Sequence, residues 1–219
     1  ETIRNTDVQL PSKNFWKKAR ELCTKYGVLL ILDEIPIALG RTGKMFVFEH
    51  YDIEPDILCI GKGLGGGIFP QAAIVTRDEY NKFGDISLGH YTHEKSPLGA
   101  VAGLATIAFL ENEKIFDKVR ADEKYLKSSL AALQLKYPLI GDVRGKGLLW
   151  GVELVLDKKT KEKAINEAEV VMYEFLKRGL SYKVSAGNVL QLSPALTISR
   201  KKLNKALNIL DESLAIVHS

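Results

Sequence analysis

The chain has 219 residues, 46% hydrophobic and 26% charged, the make-up of an ordinary globular protein and not of a disordered or collagen-like one. Its 31 basic residues are interspersed with 27 acidic ones, and the net charge of +4 comes with no basic block interleaved with aromatics, which argues against nucleic acid as a partner. No apolar run reaches membrane-spanning length, and Cys23 and Cys59 sit in apolar contexts without metal-type spacing, so the expectation is a cytoplasmic protein with two reduced core cysteines.

Glu1 to Thr6 has neither a methionine nor leader character, so the chain is expected to begin inside something larger. Pro11-Ser12-Lys13 introduces a helix with Phe15, Trp16, Ala19, Leu22 and Cys23 at helical spacing, and Gly27 ends it. Val28 to Leu32 is a fully apolar run, expected to be a parallel strand buried on both faces and ending in Asp33-Glu34. A loop with Gly40, Arg41, Thr42 and Gly43 leads through Pro55 to a second apolar run, Ile57 to Ile60, followed by Gly61-Lys62-Gly63. Ala72 to Val75 is a further short strand candidate, and strands recurring between connections argue for an α/β sheet.

Phe83 to Ser96 is polar and glycine-containing, the expected place of a functional loop; His90 and His93 fall inside it, with metal binding the minority reading. Pro97 to Glu111 is apolar and alanine-rich, expected to be a buried helix. Around Glu113 the character changes. Amphipathic helices over 115–135 and 161–178 flank 143–156, 189–192 is strand-like, and Ser199 caps a last helix. A boundary near residues 111 to 122 divides the chain into 1–115 and an α+β unit, 116–219.

Two apolar strands thus each deliver one ionisable residue at the carboxyl end, Asp33 and Lys62, 29 residues apart, where ligands of open α/β sheets bind. A lysine in apolar, glycine-rich surroundings loses its charge more readily and can attack a carbonyl, while glycines admit a ligand close to the backbone. Three other readings compete. Lys62 could be a solvated loop lysine. Gly61, Gly63 and Gly66 fit a dinucleotide fingerprint, but Pro70 blocks the helix it needs. Asp33-Glu34 could be a nucleotide-site acidic pair, but no matching phosphate loop is present in the chain. An aspartate and a lysine suit pyridoxal 5'-phosphate, which needs an amine for its aldehyde and a carboxylate for its ring nitrogen.

Leu32 to Ile35, Gly40 to Phe46, Pro55 to Ile57 and Lys62 to Gly67, followed by Tyr91-Thr92, Ser96 to Leu98, Val143 to Leu148 and Leu192 to Leu196, together resemble class III aminotransferases of the fold type I family. The resemblance implies the C-terminal portion of such an enzyme: part of a mostly parallel α/β large domain, then a small α+β domain. It implies that Lys62 forms the Schiff base, that Asp33 holds the pyridine nitrogen and that Ile35 packs on one ring face. It implies that Thr92 reaches the phosphate of a neighbouring subunit in a homodimer. The implied reaction is amino transfer between an amine or amino acid and a keto acid. Elimination from an amino-phosphonate or amino-phosphate compound is the rival, and a catalytically silent fragment the third reading. Where the family usually has glutamine this chain has Pro36, and where it has a carboxylate-gripping arginine this chain has Gln191. Arg41, Lys95 or a residue of the missing half is the expected replacement if a carboxylate is held, the blander reading being that Gln191 faces solvent and the anchor lies upstream; Arg144 is expected to have structural partners; the missing half would be a separate chain or removed.

Overall fold

The computed structural model describes residues 1–82, 84–86, 92 and 94–218, with side chains described through Val217; Phe83, His90, Tyr91 and His93, and with them the histidine-pair reading, lie outside the described residues. The chain forms two compact units. Unit 1 comprises Glu1–Ile3, Pro11–Gly40 and Lys44–Phe116; unit 2 comprises Arg4–Leu10, Arg41–Gly43 and Asp117–Ser219.

In unit 1, α1 (Lys13–Tyr26) begins where the Ser12 hydroxyl accepts from the Phe15 amide at 3.2 Å and ends at Gly27 in the left-handed region. Trp16 is its buried anchor and donates its indole N–H to the Thr2 carbonyl at 3.0 Å. Phe15 and Leu22, which share its helical spacing, are exposed. Among the described residues the sheet has the order β1 (Ile31–Asp33), β2 (Ile57–Ile60), β3 (Ala73–Thr76). β1 and β2 are parallel, and β2 and β3 antiparallel. The Asp56 carboxylate fixes the entrance of the parallel pair, accepting from the Leu30 amide at 2.7 Å and from Arg20 of α1 at 2.6 Å.

Two expectations about burial fail here. β1 alternates exposed, buried, exposed, with Ile31 57% exposed and Val28 and Leu29 open to solvent, because only the Leu32 face is covered. α2 (Pro97–Asn112) is a helix as expected, capped by Ser96, but it buries only Gly99, Gly103 and Leu110; Leu98, Val101, Leu104 and Phe109 stand exposed. The cysteines are half-buried and unpaired.

Unit 2 is built from α3 (Ile115–Lys136), β4 (Ile140–Lys146), β5 (Leu149–Leu154), α4 (Ile165–Lys177), β6 (Lys183–Ser185), β7 (Val189–Leu192) and α5 (Arg200–His218). Its sheet runs β4-β5-β7-β6, antiparallel throughout among the described residues. α4 packs on β5, β6, β7 and α5, and Leu130, Val152, Leu154, Phe175, Leu190 and Leu214 are fully buried. Ser199 caps α5 as expected, its hydroxyl accepting from the Lys202 amide at 3.3 Å. No helix of the described residues is long and apolar enough to cross a membrane.

Candidate active site

β1 and β2 are hydrogen-bonded neighbours in register Asp33↔Cys59, and the Glu34 amide donates to the Cys59 carbonyl at 3.0 Å. Parallel pairing therefore brings the carboxyl ends of both strands, with Asp33 on one and Lys62 three residues beyond Cys59 on the other, to one edge of unit 1. The Asp33 carboxylate accepts from the Ile35 amide at 2.9 Å, an Asx turn that orients it. Ile35 in turn lies against Gly61: a Cβ placed there would be 3.4 Å from Ile35 Cγ2 and from Ala72 Cβ. Asp33, Ile35 and Lys62 are thus brought together at one end of the sheet.

Lys62 opens a 3-10 turn, Lys62–Gly65, with φ of +46°. A non-glycine residue in that region is strained by roughly 1–3 kcal/mol, and such strain concentrates at ligand sites. Gly66 and Gly67 follow with φ of +65° and +75°. Lys62 is exposed, not enclosed in apolar side chains as expected; Asp33 is exposed as well. The amine and the carboxylate are therefore open to solvent, while Ile35 is half-buried.

Glu34, next to Asp33, is fully buried and has a structural role. It accepts from the Thr2 hydroxyl at 2.7 Å and from the amides of Val47 and Phe48 at 2.6 and 2.7 Å. Burial raises its carboxyl above the ordinary value, and these three bonds oppose the rise only in part. Thr92 lies in an exposed turn; among the described residues no hydrogen bond joins it to Asp33, Ile35 or Lys62.

The residues weighed as substrate anchors resolve differently. Gln191, on β7 of unit 2, is 7% exposed; its amide donates to Asn5 Oδ1 at 2.9 Å and its carbonyl accepts from Ser185 at 3.3 Å. It does not face solvent, the blander of the expectations. Arg41 donates to the carbonyls of Leu148 and Pro194, and burial lowers its pKa from the ordinary value. Arg144 binds the Asp7 carbonyl and the carboxylates of Asp142 and Glu153, the structural partners expected of it. Sequence reasoning missed Gly61 as the seat of Ile35, although a glycine directly before the lysine was the available signal. It also missed Asn5 as a partner of Gln191; 186 positions separate the two, and nothing local announces the pair.

The family model for class III aminotransferases matches residues 5–214. The chain belongs to the class III aminotransferases. These are enzymes that use pyridoxal phosphate, and the amine, carboxylate and aliphatic group at the strand ends are the donor set such a cofactor requires. Among curated relatives, the (R)-1-hydroxy-2-aminoethylphosphonate ammonia-lyase of Vibrio splendidus (strain 12B01) is 55% identical over 217 residues, 99% of this chain and 45% of that protein. Among solved structures, an S-selective transaminase from Arthrobacter sp. with alanine bound superposes with a TM-score of 0.92 at 28% identity, over 100% of this chain and 50% of that one. Taurine:2-oxoglutarate aminotransferase from Bifidobacterium kashiwanohense, in complex with PLP and glutamate, superposes with a TM-score of 0.90 at 27% identity, over 100% of this chain and 51% of that one. The chain spans about half the length of the curated relatives it matches.

Proposed function

We propose that this chain carries the lysine and aspartate of a pyridoxal phosphate enzyme that releases ammonia from a small amine of the hydroxy-aminophosphonate type. The reading rests above all on Asp33 and Lys62 at the carboxyl ends of paired parallel strands. The 55% identity to an ammonia-lyase, over 99% of the chain, supports elimination over amino transfer. Residues 1–115 are assigned to the cofactor-binding domain and 116–219 to a small C-terminal domain.

Lys62 would hold the cofactor through its aldehyde, Asp33 through its ring nitrogen, and Ile35 would cover one ring face. Thr92 would reach the phosphate of a second copy in a homodimer. Bound there, pyridoxal phosphate supplies an electron sink for the pair released when a C–H bond beside the amine breaks. Lys62 would take the proton from that carbon and pass it to the hydroxyl leaving the neighbouring carbon as water, and hydrolysis of the enamine so formed would give an aldehyde and ammonia; its glycine neighbours leave the approach open. The Asp33 carboxylate keeps a proton on the atom facing it, and the Asx turn to the Ile35 amide keeps it aimed. Ile35 excludes water from the face it covers.

Amino transfer remains the second reading, favoured by the solved transaminases of the same fold. The deciding experiment supplies the holoenzyme with (R)-1-hydroxy-2-aminoethylphosphonate and follows ammonia with and without a keto acid. Ammonia formed without an acceptor supports elimination; turnover that requires the keto acid and forms an amino acid replaces it with amino transfer.

A further inference from the structure

Unit 2 contains a cavity of about 170 Å³. Leu126 of α3 and Leu203, Leu207 and Leu210 of α5 line it, each of them buried, together with Tyr182 and Pro194. Native interiors rarely keep voids larger than a water molecule, because a void forfeits packing contacts. A wholly apolar cavity of comparable size stays dry and takes up benzene; this one is mostly apolar, with Lys183 and Gln191 also in its lining.

Tyr182 gives this cavity a polar handle. Its hydroxyl is buried without a hydrogen-bond partner, while its ring lies 4.1 Å from that of Phe175. Burial among apolar groups pushes its phenol pKa up. An unpaired buried hydroxyl is destabilising, so a change of rotamer that meets an acceptor is favourable.

We propose that this cavity is a binding site for a molecule of single-ring size, mostly apolar, with one carbonyl-type acceptor that the Tyr182 hydroxyl turns to meet. The acceptor sets the selectivity: of two ligands of one shape, the one carrying a carbonyl gains a hydrogen bond and relieves an unpaired hydroxyl.

Acetophenone and α-methylstyrene are such a pair, a ketone and its alkene isostere, and the probe is the methyl NMR spectrum of the full chain labelled at leucine. The expected result is saturable shifts at Leu126, Leu203, Leu207 and Leu210 with both compounds, and about tenfold tighter binding of the ketone. In Tyr182→Phe both still bind, the preference disappears, and the ligand-free protein melts about 2–4 °C higher because the unpaired hydroxyl is gone. Absence of saturable shifts at those leucines, or a ketone preference that survives in Tyr182→Phe, overturns the proposal.

Discussion

Asp33 and Cys59 stand opposite one another in the parallel ladder of β1 and β2, and this pairing carries the Asp33 carboxylate to the strand end from which the chain runs on to Lys62. Neither strand is long; β1 spans three residues and β2 four. Their register is fixed by Asp56 at the entrance and by the Glu34 amide on Cys59 at the exit. A slip by one residue would turn Asp33 to the opposite face and shift it and Ile35 relative to Gly61. The site is thus held by backbone pairing, while its side chains stay exposed.

Reduction of the holoenzyme with borohydride should attach the phosphopyridoxyl group to Lys62 and to no other lysine. Peptide mass spectrometry locates the label. A label on Lys44 or Lys95 removes Lys62 from its assigned role. Asp33→Asn should leave the label in place and slow proton removal from the substrate carbon, measured as loss of deuterium exchange.

The strand ends, the helix caps and the Asp33–Lys62 pair were legible because each depends on nearby residues: an apolar run, a glycine, a serine before a helix. Burial was less legible. The apolar character of Val28 to Ile31 and of α2 records that these surfaces favour a partner, and says nothing of which segment supplies it. The direction of β3 was likewise hidden, since its sequence pairs equally well either way and the twelve-residue stretch from Gly61 to Ala72 decides. Gln191 was read as a lost anchor, but its meaning lies in Asn5 and Ser185, a relationship only the folded chain creates.

Two carboxyls should give stability a pH dependence of opposite sign. Although burial alone would raise Asp56, the Leu30 amide and Arg20 hold its pKa below the ordinary 3.8. Its contribution is therefore present above that value and lost as pH falls through the folded value. Glu34 is raised by burial above 4.5, so stability tied to it is present below 4.5 and lost as pH rises through the folded value. Urea midpoints measured from acid to neutral pH should show the acid-side loss flattened in Asp56→Asn. The penalty of Glu34→Gln relative to wild type should shrink as pH rises through the window just above 4.5. A penalty independent of pH would contradict the Glu34 assignment.

Gly147 and Gly27 both have positive φ, at +59° and +64°, but their surroundings differ. A Cβ at Gly147 would sit 2.4 Å from the Arg41 carbonyl oxygen and 2.5 Å from Thr42 Cα, backbone atoms that cannot swing aside. A Cβ at Gly27 would meet nothing within 4 Å. Gly27→Ala should therefore cost only the backbone strain, about 1 kcal/mol. Gly147→Ala adds a steric conflict and should cost about 3 kcal/mol or more. Equal losses in denaturant titrations would show that the Arg41–Gly147 contact is not maintained in solution.

The last expectation concerns the substrate. A carboxylate beside the reacting amine is held best by an arginine making two parallel, charge-assisted hydrogen bonds. At Gln191 a neutral amide stands instead, donating to Asn5 and accepting from Ser185 in a site only 7% exposed. Arg41 is committed to the Leu148 and Pro194 carbonyls. By the family resemblance, position 191 is where a substrate carboxylate would be gripped; there Gln191 offers no bidentate partner, a loss of roughly 1.5–3 kcal/mol relative to a gripping arginine. Amines with no adjacent carboxylate do not bear that cost. The holoenzyme should therefore turn over aminophosphonates or ω-amines with a kcat/KM at least about tenfold above that for alanine or glutamate. A panel of these amines, assayed for ammonia and for keto-acid formation, measures the ratio. Alanine or glutamate matching the aminophosphonate as first substrate would show that the carboxylate is held by residues other than Gln191 and Arg41, and the substrate assignment would fall with it.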